Sequence, residues 1–133
     1  METPAPSIVL FLDHDDATNV LSGVLNLKSF KVFKCKSPED CLSQLNKVQG
    51  KIDAVLIKKE PAIKKDYFVV NQIKKISPNI MILVLADNVN EDECLVEHGV
   101  HQYFLTPLSP ENLADKILVA LARNDLKKVK ERL

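Results

Sequence analysis

Three short apolar runs constrain this chain more than any other feature: Ser7 to Leu12 (SIVLFL), Ala54 to Ile57 (AVLI) and Ile80 to Leu85 (IMILVL). Runs of this length without polar alternation fit strands covered on both faces, as in the middle of a parallel sheet. Two weaker segments complete the set. Residues 31 to 35 (KVFKC) alternate and residues 102 to 105 (QYFL) are short, patterns that suit the edges of a sheet.

Helical patterns with recognisable starts lie between these runs. Val20, Leu21, Val24, Leu25 and Leu27 recur at helical spacing over residues 16 to 28. Ser37-Pro38-Glu39-Asp40 reads as an N-cap, a proline at the first helical position and acids in the first turn, opening a helix that turns Cys41, Leu42, Leu45 and Val48 inward. Ser109-Pro110-Glu111-Asn112 repeats that start ahead of Leu113, Ile117 and Leu121. Residues 64 to 76 place Phe68, Val69, Gln72, Ile73 and Ile76 in a third amphipathic pattern. The acidic stretch 90 to 98, stopped by Gly99, predicts a short fourth helix. A five-fold alternation of strand and helix with right-handed crossovers predicts an α/β three-layer sandwich. Placing the two weak strands at the edges selects the flavodoxin-like parallel order 2-1-3-4-5, with five helices.

Composition narrows the function. With 133 residues, 46% of them hydrophobic, the chain can hold one core without metal or disulfide staples. Lys plus Arg and Asp plus Glu both number 18, and Arg123 and Arg132 are the only arginines, a poor match to a nucleic-acid binder. Cys35, Cys41 and Cys94 form no C-x-x-C pair and are expected to be reduced, small apolar residues. No membrane-length apolar run and no signal-peptide pattern is present, so a cytoplasmic location is expected. Phosphate-cradling glycine motifs and the G-x-S-x-G elbow are missing. His98 and His101 flank a helix-breaking glycine and lack an obvious third metal ligand.

In such sheets ligands sit beyond the carboxyl ends of the strands, which directs attention to the loops after residues 12, 57, 85 and 105. Those loops hold Asp13-His14-Asp15-Asp16, Lys58-Lys59-Glu60-Pro61, Ala86-Asp87 and Thr106-Pro107-Leu108. The stretch Gly99-Val100-His101-Gln102-Tyr103-Phe104-Leu105-Thr106-Pro107-Leu108 resembles the G-A-x-x-Y-L-x-K-P-F of response-regulator receiver domains, the CheY-like phosphoacceptor modules of two-component signalling. The resemblance covers about residues 7 to 123 and extends to element order and spacing.

Carried over position by position, the resemblance implies a degenerate pocket. The acid pair that holds magnesium falls on Asp13 and His14, the phosphoacceptor aspartate on Lys58, the switch Thr or Ser on Leu85, and the lysine before the strand-five proline on Thr106. Tyr103 keeps the strand-five aromatic, and Pro107 keeps the proline whose preceding bond is usually cis in the family. Aspartyl phosphorylation needs a carboxylate nucleophile, a divalent cation held by hard oxygens and a lysine that steadies the product. An ammonium at position 58 supplies no such nucleophile. The expectation is a plugged pocket in which Lys58 pairs with Asp13, with His14 as a possible cap, and in which no cofactor, magnesium included, is bound.

The implied function is that of a pseudo-receiver, a non-enzymatic module for protein interaction or dimerisation. Two alternatives stay open. One is an atypical receiver that uses Asp13 with Asp15, Asp16 or Glu60; the other is a flavodoxin-like domain that binds a small ligand in the vacated pocket. Partner contact is expected on helix four, strand five and helix five, where acidic Glu91 and Glu97, Tyr103, and basic Lys116 and Arg123 could meet a protein partner or a second copy. A receiver-like domain over 1–123 is expected to run into a helical extension or linker over 124–133. Apolar residues there at 126, 129 and 133 begin a coiled-coil spacing that could lead to an output domain.

Overall fold

A computed structural model describes residues 5–13, 15–48 and 51–132, the side chains of 127–132 excepted. Five strands, β1 (Ser7–Phe11), β2 (Lys31–Lys34), β3 (Ala54–Lys58), β4 (Met81–Ala86) and β5 (Gln102–Leu105), form one sheet in the order β2-β1-β3-β4-β5. Every neighbouring pair is parallel, with Ile8 opposite Ala54, Ala54 opposite Met81 and Leu83 opposite Gln102. The three apolar runs are central and the two weak strands are edges, which is the predicted flavodoxin-like, CheY-like architecture.

The strand period of two divides the core between the two faces of the sheet. Val9, Phe11, Val55, Ile57, Ile82 and Val84 point to one side, where they meet Cys41 and Leu45 of α2 (Pro38–Lys47) and Val70 and Ile73 of α3 (Lys59–Ile76). Ile8, Leu10, Leu56 and Leu83 point to the other, against Leu21 and Leu25 of α1 (Asp16–Leu27) and Leu113 and Ile117 of α4 (Pro110–Arg132). The helix starts follow local chemistry. Ser37 Oγ accepts the Asp40 amide at 3.1 Å, Ser109 Oγ accepts the Asn112 amide at 3.1 Å, and Asp15 Oδ1 accepts the Thr18 amide at 2.9 Å. Val20 and Leu27, which share the spacing of α1, are exposed; Leu21 and Leu25 carry its packing.

Two helical expectations are corrected. Residues 90–98 do not form a helix: a single 3₁₀ turn covers Glu91–Glu93, Cys94 is left-handed at φ 50°, and turns follow. The described residues therefore hold four α-helices rather than five. Within 91–98 only Leu95 is buried, so the segment has no apolar stripe that a second helical turn could bury.

Helix α3 starts at Lys59 rather than at 64 and is broken inside. Lys64 is extended (ψ 141°), and Lys65, Asp66 and Tyr67 are left-handed at φ 52°, 56° and 63°. The break rotates the pattern, burying Tyr67, Val69, Val70 and Ile73 while Phe68, expected inward, is 50% exposed. Tertiary packing holds this uncommon backbone in place. Tyr67 stacks on His98 with ring centroids 4.0 Å apart, and its hydroxyl donates to the Glu93 carbonyl.

Cys35 and Cys41 are fully buried, and Cys94 is half-buried. A hydrogen bond with Cys35, reinforced by burial, pushes the Cys41 thiol up so that it stays protonated. No helix among the described residues is long and apolar enough to cross a membrane.

Candidate functional site at the carboxyl end of the sheet

The ends of β1, β3, β4 and β5 converge on a cleft of about 300 Å³. Leu12, Leu21, Leu85, Leu108 and Leu113 give it apolar walls, and Asp13, Asp15, Lys58, Asp87 and Thr106 carry its polar groups. Parallel pairing places Lys58 beside Leu85, so both residues occupy strand ends at the mouth.

Lys58 Nζ donates to Asp13 Oδ2 at 2.6 Å, joining β3 to the loop after β1 across 45 residues of sequence. The side chains of Lys58 and Asp13 are 42% and 68% exposed. The Asp13 hydrogen bond, with further help from the charges of Asp13, Glu60 and Asp87, raises the Lys58 pKa above its ordinary 10.5. His14 lies outside the described residues, so the expected cap falls there too.

The neighbouring acids have other work. Asp15 caps α1, and the hydrogen bond from the Thr18 amide lowers its carboxyl pKa, while the Thr18 hydroxyl donates to the Asp13 carbonyl at 2.5 Å. Asp16 lies exposed in the first turn of α1, and Glu60 lies exposed at the start of α3. Leu21 is buried and Gly23 has open space around its Cα, so the register of α1 points Leu21 at the core. Among the described residues no three His, Cys, Asp or Glu side chains are grouped to hold a metal ion. Asp13 Oδ2, the oxygen a cation would seek, accepts an ammonium. His101 Nδ1 accepts the Ile82 amide at 3.0 Å and His98 stacks on Tyr67, so the two histidines serve separate structural contacts.

Thr106 turns toward β4, where its hydroxyl donates to Asp87 and its amide to the Ala86 carbonyl, the latter at 2.8 Å. The Thr106–Pro107 peptide is cis.

Sequence reasoning did not find Lys59 or its partners. One residue beyond Lys58, it reaches the other way, donating to Asn88 O at 2.8 Å, Asn88 Oδ1 at 2.9 Å and Glu93 Oε1 at 3.2 Å. Asn90 N–H also donates to Glu93 Oε1, at 2.6 Å; this bond, ahead of Lys59, holds the Glu93 carboxyl below its usual range. The Lys58-Lys59 pair thus ties the loop after β1 on one side and the loop after β4 on the other. Its adjacency at a strand end was the available signal.

The expected partner-face residues lie on a turn segment, in place of the helix expected over 90–98, on β5 and on α4. Glu91 and Glu97 are exposed in the turn segment, and Tyr103 and Leu105 on β5 are 40% and 49% exposed. Lys116, Val119 and Arg123 share an exposed stripe of α4 at spacings of three and four residues. Residues 124–126 continue α4 without a break; the side chains of Val129 and Leu133 lie outside the described residues.

No family model and no curated protein sequence matches the chain. Solved structures do match in fold. A response regulator from Thermotoga maritima aligns with TM-score 0.73 at 20% identity, over 89% of this chain and 98% of its own. A CheY-like response-regulator receiver domain from Methanospirillum hungatei JF-1 aligns with TM-score 0.76 at 13% identity, over 92% and 98%. An orphan response regulator of H. pylori aligns with TM-score 0.73 at 24% identity, over 90% and 99%. The site at the end of this sheet therefore sits on the fold of CheY-like response-regulator receiver domains.

Proposed function

We propose that the chain is a phosphorylation-independent receiver module: a non-enzymatic signalling domain that works through protein contact and uses no magnesium. One observation carries the reading. The position that matches the phosphoacceptor is Lys58, and its ammonium lies 2.6 Å from Asp13 Oδ2, the surviving acid of the metal pair. A cation fixed there neutralises the carboxylate without Mg²⁺ and offers no carboxylate oxygen to a phosphoryl group. Asp15, an acid of the atypical-receiver alternative, accepts the Thr18 amide at 2.9 Å as the N-cap of α1, which counts against its serving as a metal ligand. The partner surface is the side formed by the 91–97 turn, β5 and α4, where Tyr103, Leu105 and Val119 are exposed between acidic and basic groups. It fits a protein partner rather than nucleic acid or membrane. If an output domain follows α4, that helix is the connection to it.

Amide NMR of the domain titrated with Mg²⁺ and then with beryllofluoride, a mimic of aspartyl phosphate, tests the reading. The expected result is no saturable shift at Asp13, Lys58 or Thr106. Saturable shifts at the ends of β1 and β3 would establish a working acid cluster and overturn it. A small apolar ligand that fills the 300 Å³ cleft would instead raise Tm in a concentration-dependent way.

A further inference from the structure

On the side of the domain that carries α2 and α3, a groove that the reading above does not use lies across α3 from the acidic 91–97 turn that it assigns to the partner surface. Phe68 is 50% exposed at a groove of about 350 Å³ floored by Phe11, Pro61 and Val69. Lys64 and Lys65 line one rim of that groove and Glu39 the other. Both lysine side chains are without an ion pair among the described residues. The left-handed residues 65–67 create this surface, because they bury Tyr67 and turn Phe68 out.

On the opposite flank of α3 lies the acidic turn. Tyr67 fastens it through the Glu93 carbonyl and the His98 ring, and Lys59 through the Glu93 carboxylate. Glu91, Asp92 and Glu97 are exposed there, and Val96 is 65% exposed between them. Thus α3 separates a lysine-rimmed groove with an apolar floor from an acidic turn with an apolar tip.

A two-fold axis lying beside α3, along its exposed surface and parallel to it, would carry each feature onto its complement in a second molecule. We propose that this face binds a second copy of the chain in an isologous dimer centred on α3. Val96 of each copy seats beside Phe68 of the other, and Glu91 and Glu97 of each face Lys64 and Lys65 of the other. The contact covers the 91–97 turn but places neither Lys116 nor Arg123 between the copies, so β5 and α4 stay available to another partner.

Sedimentation of the full chain tests this at roughly 0.1 M and roughly 1 M salt, where the Debye length falls from about 10 to about 3 Å. The expected result is a dimer at low salt that weakens at high salt. Lys64→Glu/Lys65→Glu should weaken it by about tenfold or more, and Glu91→Lys/Glu97→Lys likewise. An equimolar mixture of the two variants should dimerise again, because both reciprocal contacts then pair opposite charges. Far-UV circular dichroism melts verify that each variant is folded. A wild-type monomer at both salt concentrations overturns the proposal. So does a dimer that ignores Lys64→Glu/Lys65→Glu but is lost with Lys116→Glu/Arg123→Glu, since that pattern assigns the contact to α4.

Discussion

Replacing Lys58 by aspartate would set two carboxylates, at positions 13 and 58, where the structure has an ion pair, and the cost can be worked from the geometry. A unit charge pair about 4 Å apart is worth about 1 kcal/mol in water and about 4 kcal/mol at an effective dielectric of 20. The side-chain exposures of 42% and 68% place the Lys58–Asp13 pair toward the water limit. Its loss then costs about 0.5–1 kcal/mol. A carboxylate at 58 adds repulsion with Asp13 of about the same size, for a total of about 1–2 kcal/mol and a fall in Tm of roughly 3–8 °C. Lys58→Met, which removes the attraction without adding repulsion, should lose only the first part. Mg²⁺ at about ten times its Kd should return about 1.4 kcal/mol to Lys58→Asp and nothing to the wild type. Differential scanning fluorimetry with and without Mg²⁺ reads all three proteins. An unchanged Tm for Lys58→Asp without metal, or equal stabilisation of all three by Mg²⁺, would refute the reasoning. The pH dependence has a defined sign. Because the Lys58 pKa is raised in the folded state, the stability it contributes is complete below its ordinary 10.5 and disappears as pH rises through the folded value. The Tm gap between wild type and Lys58→Met should accordingly hold at neutral and mildly alkaline pH and close only above about 10.5.

Two further substitutions probe the scaffold around the site. Gly99 sits at φ +105°, and a Cβ there would come within 2.6 Å of the Lys74 Cε. Since that lysine tip can move and the backbone cannot, Gly99→Ala should cost about 1–3 kcal/mol in urea unfolding, and adding Lys74→Ala should recover little of it; full recovery would mean that the clash, not the dihedral angle, is limiting. Leu56 is fully buried on β3 among the residues that face α1 and α4, so Leu56→Ala should cost about 2–5 kcal/mol by the same assay. A loss below 1 kcal/mol would show that this side of the core collapses around the cavity.

Local sequence signals located the fold because its central strands are built on apolar runs and two of its helices, α2 and α4, open with Ser-Pro-acid starts, both short-range features. Where one short-range signal lacked a second, it misled. The acids and terminal glycine of 90–98 look like a helix, but one buried leucine does not give a helix a face to pack. The spacing of Phe68 looked inward until the left-handed residues before it shifted the phase of α3. Pocket residues were legible only through resemblance, since Asp13 and Lys58 are 45 positions apart and nothing local joins them.

By itself, then, the sequence determined the strand count, the parallel order and the presence of a lysine at position 58, because apolar runs, capping residues and residue identity are properties of the chain. Tertiary structure alone decided that Lys58 turns to Asp13 while Lys59 turns to Glu93, that Thr106 serves Asp87, and that Phe68 faces outward. Each of these depends on which distant groups the sheet brings within hydrogen-bond reach, and on packing that outweighs the helical preference of residues 65–67.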